Sequence, residues 1–289
     1  MSRSGTTARL AARKRRGQAI TVRGKVVVVT GGGRGIGLAT AELLQQRGAR
    51  VVLGDIDDEV VAKAAANLGC EGYPLDVTSE ESFAEFLDRV ETEFGRIDVL
   101  INNAGIMPTG PFLDFPDSVI ARNFEIDLLG VVRGSKLVAR RMVERGAGQI
   151  VNVSSVAGLV PLPGLSIYSA AKAGVIAFSE ALDNELSPQG VRVLAVMPNF
   201  TKTGLIDGLQ TTAIMPPIEP DDVARQIVRT IETNRDRVVI PRQSMAVLGW
   251  MVTPRFLKNI YGKRFGFDTM FMEFDREQRA KYLDRVTRS

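Results

Sequence analysis

The chain has 289 residues, 45% hydrophobic and 24% charged, enough for one large α/β domain with a full core. A single cysteine, Cys70, excludes an intramolecular disulfide framework. The absence of histidine excludes Ser-His-Asp and Cys-His catalysis and removes the commonest metal ligand, so no metal site is expected.

Residues 1–24 form a basic leader. Eight Lys/Arg and no acid fall within residues 1–25, ten Lys/Arg and five acids within 242–289, and the middle holds 19 basic and 28 acidic residues. The basic character belongs to the two ends, and neither shows the aromatic-interleaved or zinc-type pattern of a nucleic-acid partner. The leader reads as a solvated, disordered tail on a cytoplasmic protein; its Arg-rich, acid-free make-up also resembles a mitochondrial presequence. No run of eighteen apolar residues offers a membrane span.

Residues 26–30 are a β-branched run, expected as a buried strand, followed by a glycine cluster and a helix from about 37 to 47. A second strand is expected at 51–54 and a helix at 57–68 ended by Gly69. Strand three lies near 72–75, then a helix from Ser79 to Phe94 stopped by Gly95, then strand four at 99–101. Pro116 suits the first turn of one long helix to about 144. Strand five follows at 149–153, a helix at 166–186 ended before Pro188, strand six at 191–196, a helix after Pro220, and strand seven at 238–240. Strands alternating with long helices imply βαβ units. The expected fold over 25–241 is therefore a doubly wound, Rossmann-like α/β domain, its parallel sheet of about seven strands covered by helices on both faces. Residues 242–289 break the alternation, and their Phe/Met/Trp content among Lys/Arg reads as a helical appendage.

The first strand runs into Gly31-Gly32-Gly33-Arg34-Gly35-Ile36-Gly37. A glycine turn opening a helix lets backbone N–H groups approach a pyrophosphate; a plain tight turn uses the same residues. Asp55 ends the second strand about 20 residues later, where an acid bonds the adenosine ribose of NAD and repels the extra phosphate of NADP. Its plainer reading is helix capping with Asp57 and Asp58.

Thr30-Gly-x3-Gly35-x-Gly37, Asp76-Val77, Asn102-Asn103-Ala104-Gly105, Ser154-Ser155, Tyr168-x3-Lys172 and Pro198…Thr203 occur in order. Together they resemble the short-chain dehydrogenase/reductase family, in its single-domain branch, over about residues 25–241. The resemblance implies that Asp76 and Val77 lie against adenine and that Asn103, Ala104 and Gly105 line the fourth strand end. It implies that Pro198 and Thr203 shape the nicotinamide wall, Thr203 bonding the carboxamide. Ser155 would hold the substrate oxygen, Tyr168 exchange the proton, and Lys172 bond the ribose and lower the Tyr pKa. Elementary chemistry agrees: a free phenol titrates near 10, and Tyr168 and Lys172 share a helix face at i and i+4.

Two positions depart from the family pattern. Asp127 stands where the family has an Asn that holds a water joined to the Lys, with Asn123 one turn earlier as a partial substitute. Asn199 replaces a usual Pro-Gly, and its tolerance of positive φ preserves the turn. Arg34, before Gly35, is a feature of NADP-preferring relatives, but Asp55 outweighs it, so NAD is expected over NADP.

The expected substrate is a lipophilic alcohol or ketone, because Ile106, Met107, Val156, Leu159 to Leu162, Leu165, Leu205 and Ile206 flank the site. The resemblance implies a homodimer or homotetramer. Three placements fit the appendage: own-domain or subunit packing, cover for the active-site mouth, or peripheral membrane contact, the last the least favoured. A nucleotide-sensing protein without turnover is the competing reading, with Asp127 its only support.

Overall fold

The computed structural model describes residues 20–209 and 216–241, and beyond them only 249, 253, 254, 257, 270–272, 275, 279 and 282. Seven strands form one parallel sheet in the order β3-β2-β1-β4-β5-β6-β7: β1 Val26–Thr30, β2 Arg50–Asp55, β3 Glu71–Pro74, β4 Val99–Asn102, β5 Gly148–Val153, β6 Val191–Pro198 and β7 Arg237–Ile240. The helices between them are α1 Gly35–Gln46, α2 Asp58–Leu68, α3 Glu80–Phe94, α4 Asp117–Phe124, α5 Val131–Arg145, α6 Ser166–Leu186 and α7 Pro220–Thr233. The order reverses between β1 and β4, the crevice where open α/β sheets bind ligands.

Both faces of the sheet are covered, which explains strands as uniformly apolar as β1, all five residues of which are buried. On one face Leu44 of α1, Val61 of α2 and Ile227 and Ile231 of α7 pack onto Val27, Val29 and Leu53. On the other, Phe83 and Leu87 of α3 and Met142 of α5 pack onto Val28, Leu100 and Ile150. Local signals set the ends. The Asp57 carboxylate caps α2 by accepting from Val60 N–H, and Gly69 closes it in the left-handed conformation; Ser79 and Gly95 do the same for α3. Between β4 and β5, Asn102 Nδ2 donates to Asn152 Oδ1 at 2.8 Å, and Asn152 Nδ2 to Ser179 Oγ at 2.9 Å. That buried polar ladder fixes the two strands and α6 directly beneath the site.

Two expectations need correction. The long helix from 116 is not uniform: α4 and α5 are joined by a π-helical turn, Glu125–Gly130, which holds Asp127. The wider turn re-aims one side chain within an otherwise continuous helix, and such turns concentrate at functional sites. Asn199 does not use positive φ; Asn234 is the only non-glycine among the described residues that does. Its turn is held instead by Asn199 N–H donating to Ile240 O and by Thr201 Oγ1 donating to Asn199 O. The expected leader and the greater part of the expected appendage lie outside the described residues. No helix among the described residues is long and apolar enough to cross a membrane.

Candidate active site

A cavity of about 1090 Å³ opens at the carboxyl ends of the strands. One end is made by the turn from β1 into α1. A Cβ on Gly37 would fall onto the carbonyl oxygen of Gly31, so the turn closes this tightly only with glycine there. Thr30 Oγ1 accepts from the N–H groups of both Asn103 and Ala104 at 3.0 Å, and Asn103 Nδ2 donates back to Thr30 O and Gly31 O. The strand ends of β1 and β4 are thereby locked together. Unlike α2 and α3, α1 has no side-chain cap and no acid in its first turn, so its N-terminal dipole faces the cavity uncompensated. That is the physical requirement for holding a dinucleotide pyrophosphate, and the residues present fit one.

Asp55 lines the same end. It is buried, and its Oδ2 accepts from Gly33 N–H at 3.0 Å, which fixes the carboxylate against the glycine turn. Arg34 lines the cavity too, and its guanidinium pairs with Asp57 at 2.6 Å on the exposed rim. Asp76 and Val77 line the cavity, with the Asp76 carboxylate held by Thr78 N–H and Oγ1. Asn103, Ala104, Gly105, Ile36, Pro198 and Thr203 line it too, and a Cβ on Gly35 would touch Thr203 Cγ2 at 3.1 Å. Gly33, by contrast, acts through its N–H group and is not part of the lining.

Ser155, Tyr168 and Lys172 all line the cavity. Lys172 Nζ lies 5.6 Å from the Tyr168 ring centroid and donates to Val153 O at 3.2 Å. Ser154 Oγ donates to Lys172 O, pinning α6 to the end of β5. Ser155 Oγ accepts from Ala157 N–H at 3.1 Å and reaches the Tyr168 phenol. Asp127 is fully buried; its Oδ1 accepts from Ile106 N–H at 2.8 Å and its Oδ2 from Asn123 Nδ2 at 3.0 Å. Asp127 Oδ1 and Lys172 Nζ both lie within 3.3 Å of where a Cβ on Gly105 would sit.

Burial dominates the electrostatics of Tyr168 and Asp127. Burial pushes the Tyr168 phenol above its ordinary value, the Asp127 carboxylate pushes it further, and only Ser155 pulls it down. Asp127 is itself pushed up to about 6 by burial, against the opposing pull of Lys172 and its two hydrogen bonds.

This chain matches the short chain dehydrogenase family over residues 25–213. It belongs to the short-chain dehydrogenases. It is 42% identical over 217 residues to the cis-4-hydroxycyclohexanecarboxylate dehydrogenase of Sinomonas cyclohexanicum, covering 70% of this chain and 87% of that one. It is 38% identical over 205 residues to the 3-oxoacyl-(acyl-carrier-protein) reductase FabG of Vibrio cholerae, covering 69% and 84%. Among solved structures, a short-chain dehydrogenase/reductase from Burkholderia phymatum in complex with NAD superposes with a TM-score of 0.74 at 27% identity, covering 84% of this chain and 96% of that one.

On the substrate side of this dehydrogenase, Ile106, Met107, Val156, Val160, Leu162, Leu165, Leu205 and Ile206 line the cavity as expected. Leu159 does not; it turns into a core cluster with Ile176, Met197 and Val239. Sequence reasoning missed Phe200, Arg279 and Tyr282. Tyr282 lines the cavity, and its hydroxyl accepts from Met107 N–H at 2.8 Å. Arg279 is fully buried and donates to the carbonyls of Leu205, at 2.8 Å, and Met107. Phe271 stacks on Phe200 at 5.2 Å. The aromatic richness of the appendage was the available signal; among its described residues, Met270 and Phe271 pack onto this domain beside the cavity and Tyr282 lines it.

Proposed function

We propose that this dehydrogenase interconverts a lipophilic secondary alcohol and its ketone, using NAD. One observation carries the reading: Ser155, Tyr168 and Lys172 converge in a cavity whose remaining substrate-side wall is apolar. Bound nicotinamide supplies or accepts the hydride. Ser155 orients the substrate oxygen toward Tyr168. The Tyr168 hydroxyl, held protonated by its burial, gives its proton to that oxygen in the reductive direction and recovers it in the oxidative one. The Lys172 ammonium, anchored by Val153 O, stabilises the phenolate that this transfer leaves. Asp127 keeps Lys172 and the loop at Ile106 in register, with Asn123 completing its hydrogen bonds.

Two observations favour NAD over NADP. The Asp55 carboxylate is fixed against the glycine turn, where it would repel a ribose phosphate, and Arg34, the nearby cation, pairs with Asp57. A cofactor-reduction screen over secondary alcohols, with Tyr168→Phe as control, tests the proposal. Turnover with NAD that the Tyr168→Phe variant loses is the expected result. Cofactor binding without turnover of any alcohol or ketone would instead support a nucleotide-sensing role.

A further inference from the structure

The C-terminal segment contributes to the site in a way that the family motifs do not require. Met107 lies on the loop after β4, and Leu205 and Asp207 lie on the loop after β6, which together bracket Tyr168. The Arg279 guanidinium donates to carbonyls on both, including Asp207 O at 3.5 Å, and so ties one loop to the other. These contacts are to backbone oxygens, and Arg279 is not among the residues that line the cavity, so it is a positioning residue. Its guanidinium carbon also lies 4.2 Å from the Tyr282 ring centroid, a cation–π contact that fixes the ring. Met107 N–H holds the Tyr282 hydroxyl, so the residue is fixed at its hydroxyl and over its ring while it lines the cavity. Nearby, Met270 and Phe271 pack with Met107, Leu165 and Tyr168, and a Cβ on Gly164 would come within 2.5 Å of Phe271 O.

Resting on the alcohol–ketone reading, we infer that Tyr282, held by Arg279, is the specificity-determining wall that limits how long an apolar substrate this site accepts. A rigid aromatic surface clamped at two points does not swing away to admit a longer chain. The limit is therefore set by the ring's volume, and the ligand class is an uncharged secondary alcohol or ketone with a short apolar body.

The test measures kcat/KM with NAD across 2-butanol to 2-decanol for the full chain and two variants. Tyr282→Ala raises the ratio of 2-decanol to 2-butanol at least tenfold over wild type, and Tyr282→Trp lowers it at least fivefold. Ratios within twofold of wild type in both variants, with melting temperatures preserved, overturn the inference. A second measurement needs no variant. Saturating 2-butanone on the NAD-loaded wild type, which cannot reduce it, slows amide exchange in peptides carrying Met107 and Tyr282; binding with exchange unchanged in both peptides overturns the inference. Failure of the wild type to oxidise any alcohol in the series, or to bind 2-butanone, defeats the alcohol–ketone reading instead.

Discussion

The two ends of the cavity are built by different means. The cofactor end is built around the stretch from β1 through β2, completed by the strand ends near Asp76, Asn103 and Pro198, and its main working groups are backbone N–H groups, glycine space and one buried carboxylate. The substrate end is assembled from four segments, around residues 106, 160, 205 and 280, and its closure depends on side chains that reach across them. Backbone-built recognition is set by local conformation and tolerates no added Cβ. Side-chain-built recognition is set by volume and by buried hydrogen bonds, so it is the part that can change without loss of the fold.

The contrast can be broken by substitutions at each end and between them. The largest effect is expected where the ends meet. Tyr168→Phe removes the proton donor and lowers kcat by about 10²–10⁴-fold, while the NADH dissociation constant stays near wild type. A matching loss of NADH affinity would mean that the two ends are not separable. At the cofactor end, wild type prefers NAD by roughly tenfold or more in kcat/KM, about 1.4 kcal/mol, and Asp55→Asn erodes that preference without altering the order of alcohol substrates. Kinetics with both cofactors decide this, and NADP preferred by wild type would refute the role given to Asp55.

At the substrate end, Arg279→Met leaves the Met107 and Leu205 carbonyls without their donor in a buried setting. A loss of about 2 kcal/mol is expected, lowering Tm by roughly 4–8 °C, with NAD affinity retained. Calorimetry with and without NAD reads both quantities. An unchanged Tm would show that the C-terminal contacts contribute no net stability.

The smallest effect concerns Asp127. The carboxylate is ionised above about pH 6 and raises the Tyr168 pKa. Asp127→Asn removes that charge, so the pH at which alcohol oxidation reaches half its maximum falls by about one unit. Asn123 Oδ1, buried without a partner, can accept from the new amide once its own amide turns over. The same substitution changes stability in a defined window. Because folding raises the Asp127 pKa, the folded state binds the proton more tightly. Wild-type stability attributable to this group is full below its unfolded pKa and declines as pH rises through about 6. The Asp127→Asn variant lacks that decline, which denaturant titrations at pH 4 and pH 8 would reveal.

Residues whose roles are local were legible in the sequence. Strand and helix order follows from hydrophobic period and caps, and Asp57, Gly69 and Ser79 act at the expected helix ends. Tyr168 and Lys172 share a face because four residues of helix put them there. The π turn was not legible, since the stretch 125–130 has an ordinary helical pattern and the extra residue is accommodated through packing against α6. Leu159 had the same apolar character as its neighbours, and only the turn after β5 decided that it faces inward.

By itself the sequence determined the order of strands and helices, the glycine turn, the acid that ends β2 and the shared helix face of Tyr168 and Lys172, because each is written in local pattern. Tertiary structure alone decided the ionisation of Tyr168 and Asp127 and the placement of Arg279 and Tyr282. Burial and charge act through space, so a residue some 175 positions away from Met107 along the chain can complete the same wall.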